Sequence, residues 1–264
     1  MLYASLIYQL DILCMVKRQC NRVSTQPIAR VSVYYGGNKM GKIYGIIFDL
    51  DGTLWSTIDS CVKVLKEVKL RHPEVTRDIS REDVENSMGK PFDEIVKNYY
   101  GYMEYEKAVI VAKEAFEENV KNLMINGGTP YDDLCEVIVE LSKKYKLFIV
   151  SNCIDGYIES FLKTSKLSEY FQDYECNGRT KLSKGENIKL IMKRNKIEHA
   201  VYVGDTINDK EAAVFAKIPF VYASYGFGLV EQYDYKIDNI KDLYDNKFLN
   251  NMFLAYKDTY ENEI

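Results

Sequence analysis

The stretch KIYGIIFDLDGTLWSTIDS, from Lys42 to Ser60, decides how the rest of the sequence is interpreted. Its apolar run predicts a buried strand over Ile43–Leu50, and the run ends in two aspartates one residue apart. Because side chains at positions i and i+2 of a strand point the same way, Asp49 and Asp51 are expected to face one small volume. Two carboxylates at that distance repel each other, and a cation such as Mg²⁺, which prefers oxygen ligands, relieves the repulsion. The pair therefore predicts a magnesium site at the end of the first strand.

The composition indicates an ordinary globular protein and limits the chemistry that it can perform. The chain has 264 residues, is 47% hydrophobic and 28% charged, and carries a formal net charge of −4. This balance gives no electrostatic reason to expect binding to nucleic acid or to a membrane. The six cysteines form no CxxC pair and there are only two histidines, so a zinc site or a Ser-His-Asp triad is poorly supplied. We expect a reduced, cytoplasmic protein whose chemistry depends on carboxylates, hydroxyls and lysines.

The first 39 residues differ from the rest of the chain. Their apolar run is interrupted by Gln9 and Asp11 and is shorter than the roughly 20 residues that span a bilayer. The basic residues Lys17 and Arg18 follow this run, whereas a secretory signal carries its positive charge ahead of it. We expect residues 1–39 to be a disordered or non-native extension. Codons for the sequence GGNKM at 36–40 are compatible with a ribosome-binding sequence before a start codon, which makes Met40 the expected native first residue.

From Met40 onward, short apolar runs alternate with helical periodicity, which predicts an α/β fold with a Rossmann-like parallel sheet. The stretch between residues 56 and 126 breaks this alternation, because it contains no clear strand and its pattern is that of consecutive helices. We therefore expect a core domain made of residues 40–55 and 127–264, and an inserted helical cap domain at 56–126. The further strands expected are Leu147–Ser151, Ala200–Gly204 and Phe220–Ala223, with a weaker one near Tyr170–Cys176.

Other polar residues follow the later predicted strands. FIVSN supplies Ser151 and Asn152, VYVGDTIND supplies Asp205 and Asp209, and KLSKGEN supplies Lys184 before a helix. Open α/β sheets bind ligands at the carboxyl ends of their strands, so these groups are candidates for one site. Lys181 lies three residues before Lys184 and is a rival for the same role, but Lys184 is favoured because it directly precedes the helix.

The order of DLDGTL, VSN, a lysine and GDTIND resembles the haloacid dehalogenase superfamily. The resemblance is to its Mg²⁺-dependent phosphatases similar to phosphoglycolate phosphatases, which carry a helical C1-type cap after the first motif. It implies that Asp49 attacks phosphorus and forms an aspartyl-phosphate. It implies that Asp51 protonates the leaving oxygen and then activates water as a base.

The resemblance also implies a substrate, a cofactor and roles for the remaining residues. A small phosphorylated metabolite is the implied substrate, and Mg²⁺ is the implied cofactor. Asp209 would orient Lys184 or the water shell of the metal, and Lys90 in the cap loop SMGKPFDEI would lie near the substrate. The implied metal ligands are Asp49, the backbone carbonyl of Asp51 and Asp205, and the implied phosphate-binding groups are Thr53, Ser151, the amide of Asn152 and Lys184.

Two alternatives to a phosphatase stay open at this point. A phosphomutase uses the same aspartyl-phosphate and hands it to a sugar, and a receiver-like signalling module also combines aspartates, Mg²⁺, a hydroxyl residue and a lysine. A dehalogenase is disfavoured because its chemistry does not need the acid at Asp51. The family pattern often places an acidic residue soon after DGTL, whereas Trp55 follows here, either lining the substrate entrance or packing the linker. This departure puts the substrate in doubt more than the chemistry.

Overall fold

The computed structural model describes residues 44–244 and Leu249. The predicted extension at 1–39 and the predicted start at Met40 lie outside the described residues. The strands are β1 (Tyr44–Phe48), β2 (Trp55–Ser56), β3 (Thr129–Pro130), β4 (Lys146–Ser151), β5 (Phe171–Cys176), β6 (His199–Gly204), β7 (Phe220–Ala223) and β8 (Tyr235–Ile237). Six of them form one sheet in the order β5-β4-β1-β6-β7-β8, and every neighbouring pair is parallel. The predicted α/β fold with a parallel sheet is confirmed.

The α-helices are α1 (Ile58–Lys69), α2 (Arg81–Glu85), α3 (Phe92–Tyr100), α4 (Tyr105–Asn126), α5 (Leu134–Ser142), α6 (Tyr157–Ser165), α7 (Asn177–Thr180), α8 (Lys184–Arg194) and α9 (Ile207–Ala216). Short 3₁₀ turns lie at Ser168–Tyr170 and Ile240–Tyr244. Strands β2 and β3, which pair antiparallel, mark the two ends of the helical segment α1 to α4.

The apolar strands form a sheet that is buried on both faces. Ile46 and Phe48 of β1 belong to one hydrophobic cluster, and Ile47 between them belongs to the cluster on the opposite face. Adjacent side chains of a strand point to opposite faces, so a strand covered on both sides has to be apolar throughout. Helices α5 and α6 contribute to the first cluster, while α8 and α9 contribute to the second.

Helices α1 to α4 bury their apolar faces in a third hydrophobic cluster. Val64 and Val68 of α1 meet Val111 and Ala115 of α4 in this cluster. Helix α2 begins with a capping box, in which Ser80 and Asp83 satisfy each other's backbone amides. The predicted domain boundary at residue 56 stays a prediction, although the described helices of 58–126 do have a cluster of their own.

Within residues 44–244, none of the helices combines the length and apolar character needed to cross a membrane.

Candidate active site

The central strand β1 brings Asp49 to the carboxyl edge of the sheet. The amide of Asp49 donates to the carbonyl of Val203 on β6 at 2.8 Å, which continues the ladder of parallel strands. Strand β1 lies between β4, which ends at Ser151, and β6, which is followed by Asp205. Parallel strands end at the same edge, and therefore these three strands deliver their polar residues to one place. The carboxylate of Asp49 is buried there, and the whole residue is only 1% exposed.

Lys184 at the start of α8 links two of the buried carboxylates. Its Nζ lies 3.0 Å from Oδ1 of Asp49 and 2.6 Å from Oδ1 of Asp209. Burial lowers the pKa of Lys184, but the charges of Asp209 and Asp49 outweigh it and raise the pKa above its usual value. Lys184 is therefore an ammonium ion that holds Asp49 in place. The rival Lys181 is exposed and donates to the carbonyl of Gly178, away from both carboxylates.

Asp209 is fixed by the first turn of α9. Its Oδ2 accepts hydrogen bonds from the amide of Thr206 at 2.8 Å, from the hydroxyl of Thr206 at 2.6 Å and from the amide of Asp205 at 3.2 Å. A carboxylate in this position also interacts favourably with the helix dipole. One oxygen of Asp209 therefore contacts the start of α9, and the other contacts the ammonium of Lys184. The sequence prediction that Asp209 orients Lys184 stays a prediction of role, although the contact is present.

The carboxylates of Asp49, Asp205 and Asp209 fit a divalent cation. One oxygen of each lies within 4.8 Å of the others, and all three residues are buried. Burial, with the charges of Asp209 and Asp49, raises the pKa of Asp205 well above its usual range. Oδ1 of Asp205 is buried without a hydrogen-bond partner among the described residues. A buried carboxylate oxygen without a partner costs folding free energy, and a hard cation would satisfy it.

Gly52 allows Asp205 to approach the loop after β1. Its φ is +82°, a conformation that favours glycine, and an added Cβ would lie 2.1 Å from Oδ2 of Asp205. The glycine after Asp51 is therefore required by the close packing of the site as well as by the turn.

Asp51 lies beside two hydroxyl groups rather than beside a lysine. Thr57 Oγ1 donates to Oδ1 of Asp51 at 2.8 Å, and the hydroxyl of Tyr157 donates to the same oxygen at 3.0 Å. Burial raises the pKa of Asp51 to about 6, and these two hydrogen bonds oppose that shift. Burial also raises the pKa of Asp49 to about 7, with the charge of Asp209 adding to the shift and Lys184 opposing it. A carboxyl group with a pKa near 6 can both donate and accept a proton at neutral pH.

The other predicted residues occupy different positions around the site. Ser151 and Asn152 line the cavity above Asp49, together with Lys90 from the segment between α2 and α3. Thr53 is fully buried, does not line this cavity, and its hydroxyl has no hydrogen-bond partner among the described residues. Trp55 is 1% exposed and packs edge-to-face on Tyr157 and Phe161, so it packs the core rather than lining the cavity.

Four contacts at the site were not predicted from the sequence. Thr57 and Tyr157 contact Asp51, and the side-chain amides of Asn152 and Asn208 both donate to the carbonyl of Gly89, at 3.0 and 3.1 Å. Asn208 stands inside the quoted motif GDTIND, so a signal for it was present. Tyr157 has no comparable signal, because no spacing in the sequence connects it with Asp51.

Comparisons with known proteins place the chain among haloacid dehalogenase-like proteins. The family model described as haloacid dehalogenase-like hydrolase matches residues 46–223. A protein named pyrophosphatase PpaX from Listeria monocytogenes is 31% identical over 183 residues, which cover 65% of this chain and 79% of that protein.

Solved structures share the fold at lower sequence identity. A structure described as a predicted phosphatase from Clostridium acetobutylicum superposes with a TM-score of 0.67 at 22% identity, covering 80% of this chain and all of that one. CbbY from Rhodobacter sphaeroides, solved in complex with xylulose-1,5-bisphosphate, has a TM-score of 0.64 at 16% identity and covers 76% of this chain and 96% of that one.

Proposed function

Because the chain belongs to the haloacid dehalogenase-like hydrolase family and is a phosphatase, we propose that it hydrolyses a small phosphomonoester through an aspartyl-phosphate on Asp49. The observation that carries this proposal is the buried group of Asp49, Lys184, Asp205 and Asp209 at the carboxyl edge of the sheet. Family membership also favours an enzyme over a receiver-like signalling module.

The two carboxylates after β1 take different roles in the proposed reaction. An oxygen of Asp49 forms a bond to phosphorus while the bond from phosphorus to the alcohol oxygen breaks. Asp51 gives its proton to the departing alcohol oxygen. It then takes a proton from water, whose oxygen attacks phosphorus and breaks the bond to Asp49. The pKa of Asp51, raised by burial to about 6, supports this change from acid to base.

The remaining groups bind and orient the phosphoryl group. Ser151 and Asn152 line the cavity, and Lys184 balances the charge of Asp49. The buried hydroxyl of Thr53 is a further candidate for phosphate binding. We propose Asp49, Asp205 and the carbonyl of Asp51 as the groups that hold Mg²⁺, with Asp209 positioning Lys184. A divalent cation at this site supplies positive charge that lets an anionic nucleophile approach an anionic phosphate.

The helices of residues 56–126 are proposed to act as a cap over a core of residues 40–55 and 127–264. The carbonyl of Gly89, between α2 and α3, accepts hydrogen bonds from Asn152 and Asn208 of the core. Closure of such a segment excludes water and shapes the space for the leaving group.

The experiment that tests the proposed function replaces Asp49 by Asn. With para-nitrophenyl phosphate and Mg²⁺, Asp49→Asn is expected to lower kcat by at least about a thousandfold, because the amide is a poor nucleophile. Rapid acid quench followed by mass spectrometry should show a phosphoryl increment on the wild-type peptide that holds Asp49, and none in the variant. The exposed carboxylate of Asp59 gives the matched control, Asp59→Asn, which should keep wild-type rates. An Asp49→Asn rate within about tenfold of wild type would overturn the assignment.

A further inference from the structure

A cavity of about 90 Å³ separates the proposed catalytic carboxylates from helices α1 to α4. Asp49, Asp51 and Ser151 line it on the side of the sheet. At about 15 Å³ for each water-sized group, it holds on the order of six such groups, which suits a phosphoryl group on a short leaving group. The opposite wall is built by the helical segment, mainly from the apolar side chains of Leu65, Val84, Ile95, Tyr99, Ala115 and Phe116.

Apart from Lys90, the polar groups on the helical wall are neutral, and Asn119 among them is already hydrogen-bonded. Oδ1 of Asn119 accepts from the hydroxyl of Ser60 at 2.6 Å, and Nδ2 of Asn119 donates to Sγ of Cys61 at 3.2 Å. Burial raises the pKa of Cys61 to about 12, so its thiol carries no charge at neutral pH. These groups offer dipoles to a ligand but no counter-charge.

Lys90 is the single cationic side chain on the helical wall within the described part of the chain. Its Nζ lies 3.1 Å from Oε1 of Glu94, one turn further along. The positive charge is therefore balanced by a carboxylate of the same segment. A second negative group on a bound leaving group would lose its hydration against a mainly apolar wall and would have to compete with Glu94 for the ammonium of Lys90.

We infer that the site takes phosphate monoesters of small, uncharged, mainly apolar alcohols and rejects substrates whose leaving group carries a second negative charge. This inference rests on the proposed phosphatase function and specifies its substrate class. It separates this chain from a pyrophosphatase, whose leaving group is itself anionic.

The test uses two substrates of the same shape. Isopentyl phosphate and the phosphate ester of β-hydroxypropanoate differ only in the replacement of a terminal isopropyl group by a carboxylate. Wild-type kcat/KM is expected to be at least about tenfold higher for isopentyl phosphate, because the carboxylate must be desolvated against an apolar wall. A smaller or reversed ratio overturns the inference. Para-nitrophenyl phosphate, assayed with wild type and Asp49→Asn, reports separately whether the phosphatase mechanism itself holds.

A charge variant tests the role of the ion pair directly. Glu94→Gln removes the partner of Lys90 and leaves its ammonium available, so the ratio between the two substrates is expected to fall severalfold as the carboxylated ester gains rate. Glu104→Gln is the matched control, since Glu104 pairs with Lys107 in the same helical segment and lines no part of the cavity. An unchanged ratio in Glu94→Gln, or an equal change in Glu104→Gln, contradicts the proposed charge balance.

Discussion

At the scale of single residues, Asp49 and Asp51 differ in the groups that surround them. Asp49 faces the ammonium of Lys184, whereas Asp51 faces the hydroxyls of Thr57 and Tyr157. The ammonium of Lys184 favours the charged form of Asp49, which suits a nucleophile, and opposes the rise in its pKa that burial and Asp209 cause. Burial raises the pKa of Asp51 to about 6 against the opposing hydrogen bonds of these two neutral donors, and a pKa close to neutral pH suits Asp51 to proton transfer. Two aspartates that are one residue apart, just after β1, thus have separate environments.

The first prediction concerns the hydroxyl of Tyr157. Tyr157→Phe removes a hydrogen bond that stabilises the carboxylate of Asp51, so the pKa of Asp51 should rise further. Asp51 acts first as an acid, and the limb of kcat/KM that falls with rising pH should therefore move to higher pH. Steady-state rates across the pH range measure this shift. Tyr233→Phe, at an exposed ring that does not line the cavity, is the control. A limb that stays in place or moves to lower pH contradicts the proposed role of Tyr157.

At the scale of elements, the hydrogen bonds from Asn152 and Asn208 to Gly89 connect the helical segment with the ends of two strands. Asn152 follows β4, and Asn208 lies in the first turn of α9 after β6. Gly89 has a φ of +74°, and an added Cβ would lie 3.2 Å from Oγ1 of Thr206. The carbonyl of Gly89 can therefore reach both amides because the loop has no side chain at this point.

The second prediction concerns Asn208→Ala, which removes one of these hydrogen bonds. Asn208→Ala should lower kcat/KM about two- to tenfold, the range expected for the loss of one hydrogen bond, and should leave the melting temperature close to wild type. Asn208 is the better choice of the two amides because Asn152 is also proposed to bind phosphate. The control is Asn126→Ala, which removes a hydrogen bond to Asn122 at the exposed end of α4. Wild-type kcat/KM in Asn208→Ala would show that this contact does not help the segment to close.

The elements were predictable from the sequence where one pattern dominates. Long apolar runs predicted β1, β4, β6 and β7, because central parallel strands are buried on both faces. The edge strand β8 was not predicted, since it has only three residues and a lysine in its middle. The contacts of Thr57 and Tyr157 with Asp51 were missed for a different reason. They depend on how α6 packs against the loop after β1. The spacing of residues in the sequence does not indicate this tertiary arrangement.

At the scale of the whole molecule, the buried carboxylates of the site repel each other inside the core. Asp49, Asp205 and Asp209 are buried close together, and Lys184 forms ion pairs with Asp49 and Asp209. Burial raises the pKa of Asp49 from 3.8 to about 7, and the pKa of Asp205 shifts in the same direction. A folded-state pKa above the unfolded value means that the protonated carboxyl is favoured on folding. The resulting stability is fully present below about pH 4 and is lost as the pH rises through about 7.

The third prediction follows for the metal-free protein. In a chelating buffer, the melting temperature should fall between about pH 5 and about pH 8, and Mg²⁺ should raise it more at the higher pH. Asp205→Asn removes one of the repelling charges and one proposed ligand, so its melting temperature should depend less on pH and respond little to Mg²⁺. Thermal unfolding by circular dichroism measures both effects. An equal Mg²⁺ shift in wild type and variant would place the cation elsewhere.

The order of the strands in the sheet also affects how the chain is made. Strand β1 pairs with β4 and β6, which follow it only after the whole helical segment and several further elements. At translation rates of about 5–20 residues per second, the first strand waits on the order of ten seconds for its second neighbour. Until β4 is made, both hydrogen-bonding edges of β1 have no strand partner, and the edge that pairs with β6 lacks one until β6 follows, while α1 to α4 can already collapse on one another. The strand that carries the nucleophile is therefore the part of the nascent polypeptide most exposed to aggregation before folding is complete.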